Sequence, residues 1–429
     1  MNSMSQEKIK AIKGTNDILP GEVEIWQRIE AVVREKAELY GYSEIRTPIF
    51  EDTGLFARSI GEDTDIVGKE MYTFRDLGER SLTLRPEGTA SVIRAFIEHA
   101  LDQRGLPQKL WYSGPMFRQE RPQKGRQRQF HQFGVEAVGA KSPLMDAEVM
   151  ILFDDIAGKL GLGERIYLLN SVGGAESRSR YREALVVFLA SVREQLCKDC
   201  WRRMLTNPLR VLDCKVPGCR DAIHGSPDVP RTIEYLTESD LSHYGEVKNC
   251  LESRGIEFTE DYSLVRGLDY YTGAVFEMQC RGLGAQSTVM GGGRYDNLLK
   301  DLGGPDLPAV GFACGMERLI LAIQAAGVAA AEKKSVPVFI ATTRSEHRLT
   351  AVTYLSTLRK LGYAADMDYL DRSLKAQMKT ASRLQARYVL IIESDGDLVT
   401  VRDMELSEQK SMTFEKFINS RANCKSLYF

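Results

Sequence analysis

The residues in this sequence that are best suited to binding or catalysis lie in an arginine-rich stretch. Between Ser113 and Glu136 there are five basic and two acidic residues, and all five basic residues fall within the polar run RQERPQKGRQRQ at positions 118–129. Guanidinium groups bind phosphate oxygens through paired hydrogen bonds, so this run could hold a polyanion. Glu120 and Glu136 leave negative charge for a cationic group. The alternative is a solvated basic loop, which is the ordinary meaning of a charge run.

The stretches on either side of this run predict a β-hairpin that would position it. Residues 110–118, LWYSGPMFR, and residues 130–138, FHQFGVEAV, are rich in aromatic and branched side chains. The run between them contains Pro and Gly and almost no apolar residue. This pattern is typical of a strand, a long loop and a returning strand. The cations would then lie in the loop and Glu136 on the floor of the hairpin.

The two ends of this loop resemble motif 2 of the class II aminoacyl-tRNA synthetases. The similarity rests on FRQE at residues 117–120 and RQF at residues 128–130. It implies that Arg118 holds the α-phosphate of ATP, and that Glu120 and Phe130 position the adenine.

The rest of the loop takes its expected roles from the same resemblance. Arg126 would close over the nucleotide, and Gln123 and Arg128 would contact the acceptor end of tRNA. Gln127 stands where the family commonly has an aromatic residue.

Two further stretches resemble the other motifs of this class. GYSEIRTPIFEDTGLF, residues 41–56, is predicted to be an extended run, in which Pro48 favours an edge strand. It is similar to motif 1, which implies a homodimer. GFACGMERLILAI, residues 311–323, is similar to motif 3, which places Arg318 on the γ-phosphate, with Mg²⁺ on the leaving pyrophosphate. The sequence has no G-x-x-x-x-G-K-[ST] phosphate loop, so ATP would be held by arginines and a sheet.

The stretch LVRGLDYYTG, residues 264–273, narrows the resemblance to the histidyl-tRNA synthetase family. STVMGGGRYDNLL, residues 287–299, is similar to the second characteristic element of that family. The resemblance implies that Arg266 joins Arg118 on the α-phosphate, so that Arg118, Arg266 and Arg318 are the catalytic residues. A carboxylate and a phenol can read the two nitrogens of an imidazole. The expected histidine-binding residues are Glu136 and Tyr271 for the ring, Glu87, Thr89 and Gln132 for the α-amino group, and Tyr295 in the pocket wall.

The resemblance covers essentially the whole chain and implies an α+β fold. A chain of 429 residues is long enough for two or three domains. We expect the antiparallel-sheet catalytic core of class II in residues 1–169 and 258–324, with a helical insertion at 170–257. Alternating strands and helices predict a small, mostly parallel α/β domain at 336–429, similar to an anticodon-binding domain.

Composition limits where a nucleic acid could bind. Lys and Arg total 57 against 59 for Asp and Glu, a formal charge of −2, so any nucleic-acid surface must be local. Arg178 to Arg220 contains ten basic and four acidic residues. A concentrated positive excess of this kind suits contacts to a phosphate backbone.

Four of the eight cysteines lie close together within the expected insertion. Their spacing is C-x2-C and then C-x4-C, and they are Cys197, Cys200, Cys214 and Cys219. Four thiolates could form a tetrahedral zinc site. However, the second spacing is loose, and cytosolic cysteines are commonly small buried hydrophobic residues. The sequence by itself therefore favours buried thiols over structural zinc. It predicts no side chains that bind a catalytic metal.

The expected activity is histidine–tRNA ligation. Histidine and ATP would form histidyl-adenylate, and histidine would then pass to the 3′ end of tRNA(His). The partners are L-histidine, ATP, tRNA(His) and a second copy of the chain. With no signal peptide or membrane-length apolar run, we expect a cytoplasmic location and no membrane partner.

Two non-catalytic alternatives share such a core. One is the regulatory subunit of ATP phosphoribosyltransferase, which tends to lack the C-terminal domain and the signature arginine, whereas this chain has both. The other is the tRNA-sensing part of translation-factor kinases, but this chain has no kinase motifs.

Overall fold

The computed structural model describes most of the chain and divides it into two compact units. The described residues are 8–61, 64, 66–123, 125–265, 268, 270–280, 283, 287–328, 336–394 and 396–422. The first unit runs to Ala331 and the second begins at Glu332. Arg266, one of the expected catalytic residues, lies outside the described residues. Within the described part of the chain, no helix combines the length and apolarity that crossing a membrane requires.

The first unit mixes helices and strands throughout. Its helices are α1 (Val23–Leu39), α2 (Thr53–Ile60), α3 (Thr89–Glu98), α4 (Pro143–Lys159), α5 (Ala175–Ser191), α6 (Lys198–Thr206), α7 (Pro217–His224), α8 (Glu238–Ser253), α9 (Leu298–Asp301) and α10 (Met316–Ala325). Its strands are β1 (Ser43–Glu44), β2 (Phe50–Asp52), β3 (Tyr72–Arg75), β4 (Ser81–Leu84), β5 (Gln108–Phe117), β6 (Gln129–Val138), β7 (Arg165–Ser171), β8 (Phe258–Glu260), β9 (Ala274–Cys280), β10 (Thr288–Arg294) and β11 (Ala309–Gly315).

An eight-stranded sheet in the order β1-β5-β6-β11-β10-β9-β7-β8 forms the framework of this unit. It is antiparallel except at its two edges, where β1 pairs with β5 and β8 pairs with β7 in parallel. The predicted hairpin is confirmed as β5 and β6, which pair without interruption from Gln108 opposite Val138 to Phe117 opposite Gln129. The class II type of antiparallel core expected from the sequence is thus present.

The two faces of the sheet are covered by different helices. Phe133, Val135 and Ala137 of β6 pack into a core with α1, α4, α8 and α10. Successive side chains of a strand point to opposite faces, so Gln132 and Glu136 lie on the other face. That face packs against α3 and α9. The chemistry-bearing residues of β6 therefore share one side of the sheet.

The region read as motif 1 contains more helix than its extended pattern predicted. The prediction of an extended run through residue 56 is wrong after Asp52, because α2 begins at Thr53. The Asp52 carboxylate accepts a hydrogen bond from Gly54 N at 2.8 Å and caps this helix. A capping aspartate starts a helix by satisfying an otherwise unpaired N–H group.

The segment expected as an insertion has its own small core and one helix that belongs elsewhere. Tyr181 and Leu185 of α5 pack with Cys200 of α6 and Cys219 of α7. In contrast, α8 contributes Tyr244 and other apolar side chains to the main core beside α4. The boundaries 170–257 stay a prediction.

The second unit is a five-stranded sheet with helices. Its strands are β12 (Val338–Thr342), β13 (Ala365–Met367), β14 (Tyr388–Ile392), β15 (Leu398–Asp403) and β16 (Glu408–Thr413). Its helices are α11 (Arg348–Lys360), α12 (Leu374–Arg383) and α13 (Phe414–Ala422). The sheet order is β13-β12-β14-β15-β16. The pairs β13-β12 and β12-β14 are parallel, as predicted, but β14-β15 and β15-β16 are antiparallel, so the sheet is mixed rather than mostly parallel. β14, β15 and β16 follow one another without an intervening helix, and strands joined by short turns pair antiparallel.

A buried ion pair joins α4 to β10 in the first unit. Arg294 Nε donates to Asp146 Oδ1 at 3.1 Å, Arg294 Nη2 also contacts this carboxylate, and His243 Nε2 lies 3.2 Å from its Oδ2. The Asp146 side chain is fully buried. Sequence patterns did not predict this pair, because each partner alone resembles an ordinary surface charge.

We expect Asp146→Ala to destabilise the first unit by about 3–5 kcal/mol, because it leaves the Arg294 guanidinium buried without its main partner. Urea unfolding followed by tryptophan fluorescence tests this, since all three tryptophans (Trp26, Trp111 and Trp201) lie in the first unit. The control is Asp306→Ala, which breaks an exposed pair with Lys300 and should change stability little. Equal effects of the two variants would contradict the expectation.

Candidate active site

A cavity of about 510 Å³ opens on the sheet face that carries Gln132. It gathers predicted site residues from separate parts of the first unit. The predicted nucleotide-binding residues that line it are Arg118, Glu120, Arg126, Phe130 and Arg318. The predicted histidine-binding residues that line it are Glu87, Thr89, Gln132, Tyr271 and Tyr295.

Three guanidinium groups meet at the cavity. Arg118 follows β5, its Nε donates to Pro86 O at 3.0 Å, and its guanidinium lies 5.2 Å from the centre of the Phe130 ring. Arg318, in the first turn of α10, donates to Thr288 O at 2.9 Å. Arg126 donates to Glu120 Oε2 at 3.1 Å.

Burial and mutual repulsion disfavour the positive charges of the arginines at this cavity. Burial lowers the pKa of the Arg118 guanidinium. Burial, and then the charge of Arg126, lowers the pKa of Arg318. Both groups remain cationic at neutral pH because an arginine starts from so high a value. A polyanion in the cavity would relieve this repulsion.

Glu136, the carboxylate predicted to read the imidazole, does not line the cavity: it is fully buried behind the lining residues Thr89 and Tyr295. Its Oε1 accepts a hydrogen bond from Thr89 Oγ1 at 2.7 Å, and its Oε2 accepts one from the hydroxyl of Tyr295. Burial raises the pKa of Glu136 to about 8, although these two hydrogen bonds oppose the shift. Gly311 stands directly opposite Glu136 on β11, and a Cβ at that position would overlap the carboxylate.

A second buried carboxylate, Glu87, lies where β4 leads into α3. It accepts hydrogen bonds from Thr89 N at 2.6 Å and Ala90 N at 2.8 Å. Burial raises the pKa of Glu87, and these backbone hydrogen bonds oppose the shift. Glu87 therefore stabilises the N-terminus of α3. Its expected contact to an α-amino group stays a prediction.

Tyrosine rings form one wall of the site. The rings of Tyr270 and Tyr271 are 4.8 Å apart between centres, and those of Tyr270 and Tyr295 are 5.4 Å apart. Tyr271 packs against the backbone of Gly293, where a Cβ would lie 2.8 Å from its ring. Gln132 Oε1 is buried with no hydrogen-bond partner among the described residues. An unpaired buried acceptor favours a ligand that can donate to it.

Tyr112 is a buried member of the site that sequence reasoning missed. Its ring fills the space left by Gly88 and Gly134, where a Cβ would collide with it. Burial, and then the charges of Glu136 and Glu87, raises the pKa of its phenol. The signal was available in the hairpin register, since Tyr112 stands opposite Gly134 and must share a face with Glu136.

The inserted segment also supplies residues to the cavity that were not predicted. They are Arg210, Asp213 and Lys215. Contacts between distant parts of a chain leave no local pattern, so no sequence signal marked them.

Two predicted tRNA contacts lie away from the described cavity lining. Arg128 N donates to Gly14 O at 2.7 Å, and the aliphatic part of its side chain packs on Gly14. Gln123 N donates to Arg126 O at 3.1 Å within the hairpin loop. Their roles stay predictions, as does that of Arg266 outside the described residues.

The antiparallel sheet and its arginine-lined cavity define the catalytic core of a class II aminoacyl-tRNA synthetase. The profile of the family described as "Histidyl-tRNA synthetase" matches residues 14–174 and 219–319. The profile described as "Anticodon binding domain" matches residues 335–420. The chain therefore belongs to the histidyl-tRNA synthetase family.

Known proteins match this chain over nearly its whole length. The histidine–tRNA ligase of Syntrophomonas wolfei is 47% identical, with 96% of this chain and 98% of that protein covered. That of Thermosipho melanesiensis is 49% identical over 93% of this chain and 95% of that protein. The apo histidyl-tRNA synthetase of S. aureus superposes with a TM-score of 0.82 at 40% identity, covering 96% of this chain and 99% of that chain.

The raised pKa of Glu136 predicts a pH-dependent stability. Between the unfolded value, roughly 4.3, and about 8, the folded state holds a proton that the unfolded state has released. The free energy of unfolding therefore falls as the pH rises through this window. Glu136→Gln removes this term, so from about pH 5.5 to 8.5 the Tm of the unmutated chain should fall by roughly 3–6 °C relative to the variant.

Thermal unfolding without substrates, followed across this pH range, measures the difference. Glu98→Gln, at the exposed end of α3, is the control and should parallel the unmutated chain. A constant offset between Glu136→Gln and the unmutated chain would show that Glu136 does not hold the proton.

Proposed function

We propose that this chain activates histidine with ATP in the described cavity and transfers it to the 3′ end of tRNA(His). The observation that carries the proposal is the meeting of Arg118 and Arg318 at one cavity, with Glu136 directly behind its lining residues Thr89 and Tyr295. A cationic region suits a triphosphate, and an adjacent carboxylate and phenols suit an imidazole.

The first step is the attack of the histidine carboxylate on the α-phosphorus, with pyrophosphate leaving. The nucleophile is already ionised, so the step needs little acid–base catalysis. It requires two anions to be aligned and the developing charge to be neutralised. Arg118 is suited to the α-phosphate, because its hydrogen bond to Pro86 O fixes the guanidinium before ATP binds. Arg318, held by Thr288 O, would bind the γ-phosphate.

Mg²⁺ bound with ATP would neutralise the pyrophosphate as it leaves. Glu277 lines the cavity and offers the oxygen ligands that Mg²⁺ prefers. In the structure its Oε2 accepts a hydrogen bond from Thr288 Oγ1 at 2.6 Å.

Selection of histidine would depend on buried polar groups that only an imidazole satisfies. Glu136 would accept a hydrogen bond from the N–H of one ring nitrogen, and Tyr271 would hydrogen-bond with the other. A side chain without these nitrogens would leave the groups unpaired, which can discriminate by roughly 10⁴–10⁵-fold. Gln132, with its unpaired Oε1, would accept from the α-amino group together with Glu87.

Two surfaces support binding of tRNA. A cavity of about 870 Å³, bounded by the segment expected as an insertion and by core residues such as Tyr271 and Val275, has five basic residues in its lining, namely Arg178, Arg182, Arg203, Arg210 and Lys215. Such a groove suits the acceptor arm, because phosphate contacts supply most of the sequence-independent affinity. The second unit, which matches an anticodon-binding profile, would bind the opposite end of the tRNA.

The region similar to motif 1 supports a homodimer. Ile49, Phe50 and Phe74 are each about half exposed, and the last two lie on neighbouring parts of the sheet β2-β4-β3. Exposed apolar side chains that cluster in this way mark association surfaces.

One of the structural relatives bears on the alternative of a non-catalytic histidine sensor. The ATP phosphoribosyltransferase regulatory subunit/histidyl-tRNA synthetase from Bacillus halodurans C superposes with a TM-score of 0.64 at 23% identity, covering 92% of this chain and 100% of that chain. This likeness shows the fold alone. Histidine-dependent exchange of labelled pyrophosphate into ATP distinguishes the two, because binding alone produces no exchange.

We expect Arg318→Gln to lower this exchange by about 10²–10³-fold, because it removes a preorganised cation from the phosphate site. The matched control is Arg254→Gln, an exposed arginine that pairs with Asp155 and should exchange at the unmutated rate. An unchanged rate in Arg318→Gln would contradict the proposed position of the γ-phosphate.

Arg266→His should abolish adenylate formation while the chain stays folded and dimeric, because the α-phosphate loses one of its two expected cations. Pyrophosphate exchange measures the activity, and light scattering and thermal unfolding verify the fold. Exchange near the unmutated rate would count against the role given to Arg266.

A further inference from the structure

Four cysteine side chains meet in the inserted segment. Cys197 immediately precedes α6 and Cys200 lies in its first turn; Cys214 precedes α7 and Cys219 lies in its first turn. Their four sulfur atoms all lie within 4.8 Å of one another, and Cys197 and Cys214 are 4.0 Å apart between sulfurs. The structure thus gathers two pairs that are separated by thirteen residues in the sequence.

We propose that these four cysteines bind one zinc ion that holds the inserted segment together. Zinc bonded to sulfur at about 2.3 Å in a tetrahedron separates the sulfurs by roughly 3.8 Å, so the observed cluster needs only small movements to accept the ion. The set contains thiols alone, which favours zinc over magnesium or calcium. Binding would release the thiol protons to solvent and change no oxidation state.

The surroundings of the cluster suit thiolates. Cys197 N donates to Cys219 Sγ at 3.0 Å, and a backbone donor of this kind orients a ligand and stabilises its charge. Cys197 and Cys200 lie at the N-terminus of α6, where the helix dipole favours negative charge. Cys200, Cys214 and Cys219 are buried, which protects a metal from exchange with solvent.

The segment also needs such a cross-link. α6 has nine residues and α7 has eight, and helices this short are marginal without tertiary support. Leu205 and Val216 in this region are exposed rather than packed. A metal can supply the folding energy that a small core does not.

A zinc ion here would also act on the proposed active site. Cys214 lies between Asp213 and Lys215, both of which line the cavity that holds Arg118. The ion would fix this turn at the edge of the cavity. This consequence, unlike the metal site itself, rests on the proposed function.

Metal analysis of the full chain tests the site without any substrate. Protein made in zinc-supplemented medium and purified without chelator should contain one zinc per chain, and Cys200→Ser and Cys219→Ser should lose it. Cys250→Ser, a cysteine of α8 outside the cluster, is the matched control and should keep it. Replacement of zinc by cobalt should give the visible spectrum of a tetrahedral thiolate site in the control and not in the two variants.

The proposal would be overturned by zinc well below one per chain, by zinc retained in Cys200→Ser, or by iron in place of zinc. A disulfide would also overturn it, and would appear as fewer than eight free thiols in chain unfolded with chelator and without reductant. Limited proteolysis gives a second readout, since loss of the metal should open cleavage sites between Leu196 and Gly225. Because none of these measurements needs histidine or ATP, failure of the zinc site and failure of the proposed activity are distinguishable.

Discussion

The structure of the site depends on one buried carboxylate, Glu136, held beneath the cavity by neutral hydroxyl groups. Thr89 and Tyr295 donate to it, and no cation pairs with it among the residues that the structure describes. Burial raises the pKa of this carboxyl group. The site therefore suits a ligand that donates an N–H group to it. The glycine opposite, Gly311, exists in this sheet because any larger residue would displace the carboxylate.

The opposite end of the cavity is positively charged. Arg118, Arg126 and Arg318 come from the hairpin and from α10, and their positive charges repel one another in a partly buried space. One end of the cavity therefore has an excess of positive charge, and the other end lies next to a buried carboxylate that no cation pairs with among the described residues. In the proposed function, histidine and a nucleoside triphosphate would satisfy the two ends at once. This division of charge, rather than any single residue, explains why the two substrates would bind side by side.

The inserted segment connects folding to the same cavity. Its short helices pack around a small core in which Cys200 and Cys219 take part, and residues next to Cys214 reach the cavity edge. The sequence spacing favoured separate buried thiols, because C-x4-C is a loose ligand pattern. Tertiary contacts bring the four sulfurs together, and the interpretation as a metal site follows from that proximity.

The sequence by itself determined the hairpin, the order of the motifs and the alternation of strands and helices at the start of the second unit, because these depend on local patterns. It also named ten residues that line one cavity. Only the tertiary structure decided the Arg294–Asp146 pair, the place of Tyr112 against Gly134, the packing of α8 in the main core, and the meeting of four cysteines. Each of these depends on residues that are far apart in the chain, and their contact is set by how the sheet and helices pack.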